Sequence, residues 1–93
     1  MIYQVEETTK FRRGVRRMAK RGANLAELEF VVNELRSGRK LDKKYKDHAL
    51  TGNRQGTREC HIKSDWLLLY EIKNEVLMLL LIDTGTHDEV LGV

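Results

Sequence analysis

Apolar positions divide the chain into two helical stretches followed by a run of strands. Ile2, Tyr3 and Val5 are β-formers and read as a short strand over residues 2–6. Thr8 or Thr9 can then cap a helix running to about Arg21. Phe11, Val15 and Met18 fall at i, i+4 and i+7, one apolar stripe of that helix. Gly22 suits the left-handed residue that ends it. Asn24 with Glu27 three residues on is a variant of the capping box. Leu25, Leu28, Val32 and Leu35 form a second stripe, predicting a helix over 25–37 closed by Gly38. Two helices with so short a connection predict an antiparallel hairpin.

Residues 39–55 are polar and basic, with Leu41, Tyr45 and Leu50 as the anchors to the body. So long a loop in a small domain marks function or mobility. Three strands follow. Over 57–63 the side chains alternate, placing Glu59 and His61 on one face and Arg58, Cys60 and Ile62 on the other. Residues 66–72 form the next strand after a Ser64-Asp65 turn, and 75–82 the last, after Lys73-Asn74. The last is apolar on both faces and belongs inside the sheet. The tail from Asp83 reads as a turn plus a short strand or helical turn. The expected class is α+β: one domain over 1–93, a small twisted antiparallel sheet with the two-helix hairpin on one face. The other face is left for function.

Length and composition narrow the classes. Ninety-three residues support one core and exclude a Rossmann fold or a barrel enzyme. No apolar run reaches the ~18 residues of a membrane span, and the first residues do not read as a signal peptide. The single cysteine, Cys60, excludes an internal disulfide and a thiolate zinc cluster, and a cytoplasmic setting is expected. The net charge of +3 conceals an asymmetry: of the 17 Lys and Arg residues, only Lys73 lies beyond residue 63. A basic front half calls for an anionic partner, nucleic acid or an acidic protein.

The candidate chemistry lies in three histidines from three segments: His48 in the basic loop, His61 on a strand and His87 in the tail. Asp65 stands at the turn after His61. If these converge they make a His/Asp cluster bordered by Lys44, Lys46, Arg54 and Lys63. Such a set suits RNA cleavage by the 2′-hydroxyl, with a base, an acid and cations around the phosphorane. Imidazole serves as acid or base near neutrality. This route requires no metal or other cofactor, and the 48/61/87 spacing matches no local metal-ligand motif. The bland alternatives are solvated histidines, a turn-forming Asp65 and a Trp66 that is core rather than nucleobase platform.

Four segments in order sharpen the picture: Y-x-D-H-x-L-x-G at Tyr45–Gly52, G-x-R-E-C-H-I at Gly56–Ile62, D-W-L-L-x-Y at Asp65–Tyr70 and T-G-T-H at Thr84–His87. With the leading strand and helix pair, they resemble the YafQ-like branch of the RelE/ParE toxin superfamily over nearly the whole chain. The resemblance implies a type II toxin that cuts mRNA in the A site of the 70S ribosome. It implies a cognate antitoxin, through which the complex would bind DNA, and no membrane partner. It implies His48, His61, Asp65 and His87 as the catalytic cluster, with His87 as general acid and Asp65 or His61 as base or orienter. Trp66 would shape the site or stack on a base, and Leu91 stands where many members carry Phe. Asp83 stands where many carry Arg, so Arg54, Arg58 or Lys46 would have to supply that cation. Strand alternation turns Arg58 away from His61. The competing readings are a non-catalytic toxin of the same fold acting on a protein such as gyrase, and a ribosome-binding module with a degenerate site.

Overall fold

The computed structural model describes residues 2–92. Five strands form one sheet, and three α-helices are added to it. In chain order these are β1 (Gln4–Glu7), α1 (Thr9–Lys20), α2 (Leu25–Arg36), β2 (His48–Ala49), β3 (Arg58–Lys63), β4 (Trp66–Lys73), β5 (Met78–Gly85) and α3 (His87–Leu91). The spatial order is β1-β5-β4-β3-β2. β2 through β5 pair antiparallel, as the sequence pattern leads one to expect. β1 runs parallel to β5, with Gln4 opposite Met78, so the sheet is mixed rather than wholly antiparallel.

Thr8 and Asn24 cap the two helices, but the Asn24–Glu27 pair does not form a capping box, since Glu27 instead pairs with Lys63. The Thr8 side chain accepts from the Phe11 N–H and that of Asn24 from the Ala26 N–H. Gly22 and Gly38, each at positive φ, follow the two helices. Phe11 and Met18 of α1 and Leu28, Val31 and Leu35 of α2 share one core with Cys60, Ile62, Trp66, Leu68, Tyr70, Leu79 and Leu81 of the sheet. Burial pushes the Cys60 thiol up to about 12, so it is an inert core group.

Two local features bear on the site. At the end of β1, the Thr8 N–H donates to the Leu81 carbonyl and its hydroxyl to that of Ile82, so α1 continues alongside β5. At Gly14, α1 passes close to β5: a Cβ there would lie 2.2 Å from the Thr84 carbonyl oxygen. The second feature is a bulge. Leu69 pairs with Asp83 and Tyr70 with Leu81, leaving Ile82 unpaired between them.

The sequence reading is revised at two further places, and of its two alternatives for the tail the helical turn is the one formed. A 3-10 turn at Asn74–Val76 joins β4 to β5, with Leu77 in the left-handed region, so β5 starts later and extends to Gly85. The tail is then the short helix α3. The long basic loop carries a two-residue strand, β2, that pairs His48 with Glu59 at the sheet edge. No helix among the described residues is long and apolar enough to cross a membrane.

Candidate active site

Alternation along β3 turns Glu59 and His61 to the face opposite the helices, while Cys60 and Ile62 enter the core. β2 then brings His48 beside Glu59, and the end of β5 delivers His87 at the first turn of α3. The three rings form a row: centroids 6.5 Å apart for His48 and His61, and 5.4 Å edge-to-face for His61 and His87.

Each ring is held by a named acceptor. Asp65 Oδ1 accepts from the backbone N–H of His87 at 2.9 Å and meets its Nδ1 at 2.5 Å. The backbone bond first, and the ring second, hold the Asp65 carboxyl below the usual carboxylate range. With its proton on Nδ1, His87 presents Nε2 outward. His61 Nε2 lies 3.2 Å from Glu59 Oε1, and His48 Nε2 lies 3.6 Å from the same oxygen. His48 Nδ1 meets the Lys46 carbonyl at 2.7 Å. That carbonyl is set by the left-handed backbone of Lys46, φ 49°, which closes the 3-10 turn Lys43–Tyr45. The Glu59 side chain is only 5% exposed, and its Oε2 has no hydrogen-bond partner.

α3 is itself clamped. Thr86 caps it, accepting from the Glu89 N–H, and Glu89 reciprocates by accepting from the Thr86 N–H. The Glu89 carboxylate also takes a bidentate hydrogen bond from Arg21 and an ion pair with Arg17 at 2.9 Å. Bonds from Arg21, then from the Thr86 N–H, hold its carboxyl down to about 2. Arg17 of α1 and Arg21 at its C-cap thus fix the element carrying His87.

His61 and His87 open on a cleft of about 520 Å³ whose walls include Lys44, Tyr45, Lys46 and Lys63. A larger groove of about 910 Å³ lies between β1, α1 and α2 and contains no histidine. The structure therefore brings His48, His61, Asp65, His87, Lys44, Lys46 and Lys63 to one region. Lys63 is engaged at 3.0 Å by Glu27 of α2.

Other expected contacts move elsewhere. Trp66 is 3% exposed in the core, its indole N–H donating to Thr84 Oγ1 at 2.9 Å. It therefore has no face free for a base. Arg54 reaches the Val90 carbonyl, outside the cleft walls, and Leu91 is half-buried on α3. Arg58 points away from the histidines, as alternation requires, and pairs with Asp47 at 3.1 Å. Asp83 is buried, bonded to the Thr84 N–H and 3.6 Å from the Lys10 ammonium. It lies outside the cleft. Glu59 is the site residue that sequence reasoning missed. Its place two residues before His61 on the same face was the available signal.

The chain matches, over residues 3–92, the family model described as the bacterial toxin of a type II toxin–antitoxin system, YafQ. The chain belongs to the YafQ family. Among its relatives, the mRNA interferase toxin YafQ of Escherichia coli K12 is 29% identical over 95% of each chain. A metal-bound toxin from Helicobacter pylori is 39% identical, with a TM-score of 0.90 over 97% of this chain and 99% of that one. The toxin in the E. coli DinJ–YafQ complex is 28% identical, with a TM-score of 0.88 over the same shares. The fit of a metal to the present YafQ-family site is poor. Its carboxylates serve separate histidines, Glu59 with His61 and His48, and Asp65 with His87. No group of three or more His, Cys, Asp or Glu side chains among the described residues has the geometry to hold a metal ion.

Proposed function

We propose that this toxin is a ribosome-dependent endoribonuclease that cleaves mRNA in the A site by acid–base chemistry of its own side chains. The observation carrying this reading is the His61–His87 pair, 5.4 Å between rings, each backed by a carboxylate and facing a lysine-lined cleft. His61 takes the 2′-hydroxyl proton on Nδ1 while its Nε2–H points to Glu59. The 2′-oxygen attacks phosphorus, and the bond from phosphorus to the 5′-oxygen breaks. His87 Nε2–H gives its proton to that leaving oxygen, leaving a 2′,3′-cyclic phosphate and a 5′-hydroxyl. Asp65 orients His87 through its backbone N–H and its ring Nδ1. Each such transfer is worth about 10²–10⁴-fold. Lys44, Lys46 and Lys63 supply charge around the phosphate, and His48 lies beside His61 through Glu59. The ribosome supplies orientation, and the setting is the cytoplasm.

The relatives solved as DinJ–YafQ complexes support a cognate antitoxin for this chain. An acidic or amphipathic segment that folds on binding suits the basic front half, and the pair would bind DNA through the antitoxin.

The test is cleavage of mRNA on programmed 70S ribosomes, wild type beside His87→Ala, with primer extension and a chelator control. A-site cuts that survive the chelator and vanish in the variant are the expected result. Growth arrest without cuts in either protein would point to a binding target such as gyrase.

A further inference from the structure

Six aromatic side chains are present. Phe11, Trp66 and Tyr70 are buried, and Tyr3 is bonded to Asn74 beside β1. Two remain. Tyr45 is half-buried in the wall of the histidine cleft. Phe30, on α2, is 52% exposed, and its ring centroid lies 6.5 Å from that of Tyr45 with the planes 35° apart. A phenyl ring left half in water beside another ring is an apolar step with no partner from the described residues. Its surroundings are cationic: Lys44 Nζ lies 5.2 Å over the Tyr45 ring, and Lys46 lines the same cleft.

Aromatic rings interleaved with lysines match the two repeating parts of a single strand of nucleic acid, bases and phosphates. The cleft volume of about 520 Å³ also falls within the range of small-ligand sites. We propose that Tyr45 and Phe30 form a stacking step for an unpaired base of the RNA next to the scissile phosphate, with Lys44 and Lys46 on the adjoining phosphates. The step does the work that the buried Trp66 cannot. The proposal rests on the nuclease reading for the position of the scissile phosphate.

The experiment compares wild type, Phe30→Ala, Tyr45→Phe and Tyr45→Ala in two assays. One is the anisotropy of a labelled 2′-O-methyl oligoribonucleotide, which cannot be cleaved because its attacking hydroxyl is blocked. The other is cleavage on programmed ribosomes at varied toxin concentration. Because Phe30 is largely exposed, Phe30→Ala keeps the fold, which its melting temperature checks. Phe30→Ala is expected to weaken oligonucleotide binding by about 5- to 150-fold. It should raise the half-saturating toxin concentration in step, with the maximal rate unchanged. Tyr45→Phe should behave as wild type, and Tyr45→Ala as Phe30→Ala. An oligonucleotide with an abasic residue at the stacked position should bind wild type and Phe30→Ala alike.

Wild-type cleavage and binding retained in Phe30→Ala would overturn the stacking step and leave the nuclease standing. So would a variant weakened only toward the antitoxin, which would assign the rings to that partner. If the wild type does not cleave, the nuclease reading fails and the anisotropy alone decides. A Phe30-dependent affinity then supports the step, and an affinity unaffected by Phe30→Ala removes it.

Discussion

One oxygen of Asp65 receives both the backbone N–H and the ring Nδ1 of His87. The acid that does the positioning is 63% exposed, so its effect is geometric and not that of a buried charge. His87→Ala is expected to slow cleavage by about 10²–10⁴-fold. Asp65→Ala keeps the ring but frees it, and should cost less. Asp65→Asn retains an acceptor for the backbone N–H and should cost least. Single-turnover rates on ribosomes would rank the three, and a fully active Asp65→Ala would remove its role.

Glu59 predicts activity and stability moving in opposite directions. Its Oε2 is buried without a partner, a state that costs free energy on folding. Glu59→Gln removes the charge at nearly constant volume. Stability should hold or rise, by on the order of 1 kcal/mol. Cleavage should fall because Gln offers His61 Nε2 a neutral acceptor in place of the carboxylate. Thermal denaturation beside the cleavage assay checks both, and a variant less stable and fully active would contradict the account.

Gly14→Ala tests the approach of α1 to β5. Alanine is the better helix former by about 1 kcal/mol, yet its Cβ would meet a backbone oxygen at 2.2 Å. Backbone cannot turn aside as a long side chain can, so crowding wins, at a cost of roughly 1–3 kcal/mol. The melting temperature should drop by about 4–8 °C for each kcal/mol. Cleavage should suffer too, because Thr84 lies three residues before His87 on the segment that is pushed.

The tether of α3 should show an acid transition. Glu89 has its folded value held down to about 2 from an ordinary 4.5 by Arg21 and the Thr86 N–H. Its contribution is therefore complete above about pH 4.5 and is lost as the pH falls through about 2. Amide signals of residues 86–91 in NMR spectra should move over that window in the wild type. In Glu89→Gln the local transition should be absent and α3 looser at neutral pH.

How much of this was legible in the sequence follows from how local each determinant is. Both main helices and their caps could be read, because stripes and caps are written within a few residues of one another. His48, His61, Asp65 and His87 could be listed, yet their division into carboxylate-backed pairs depended on β2. That strand has two exposed residues and no pattern of its own. The parallel seat of β1 and the bulge at Ile82 depend on pairing between distant segments. Trp66 shows the limit on the other side: its place beside Asp65 suggested a platform, but alternation and Thr84 Oγ1 turned it inward.

The parallel pairing of β1 with β5 also orders events in time. Thr8, at the end of β1, donates its hydroxyl to the carbonyl of Ile82, 74 residues further along. Neither β1 nor α1 can seat until β5 exists, and contacts of such sequence separation form late. His87 lies beyond β5, so the proposed proton donor is synthesised after the strand that seats β1 and α1. While its own message is being read, the nascent chain lacks both its outer strand and its acid. The order of the elements along the chain thus keeps the sheet and the candidate acid from coming together before β5 is made.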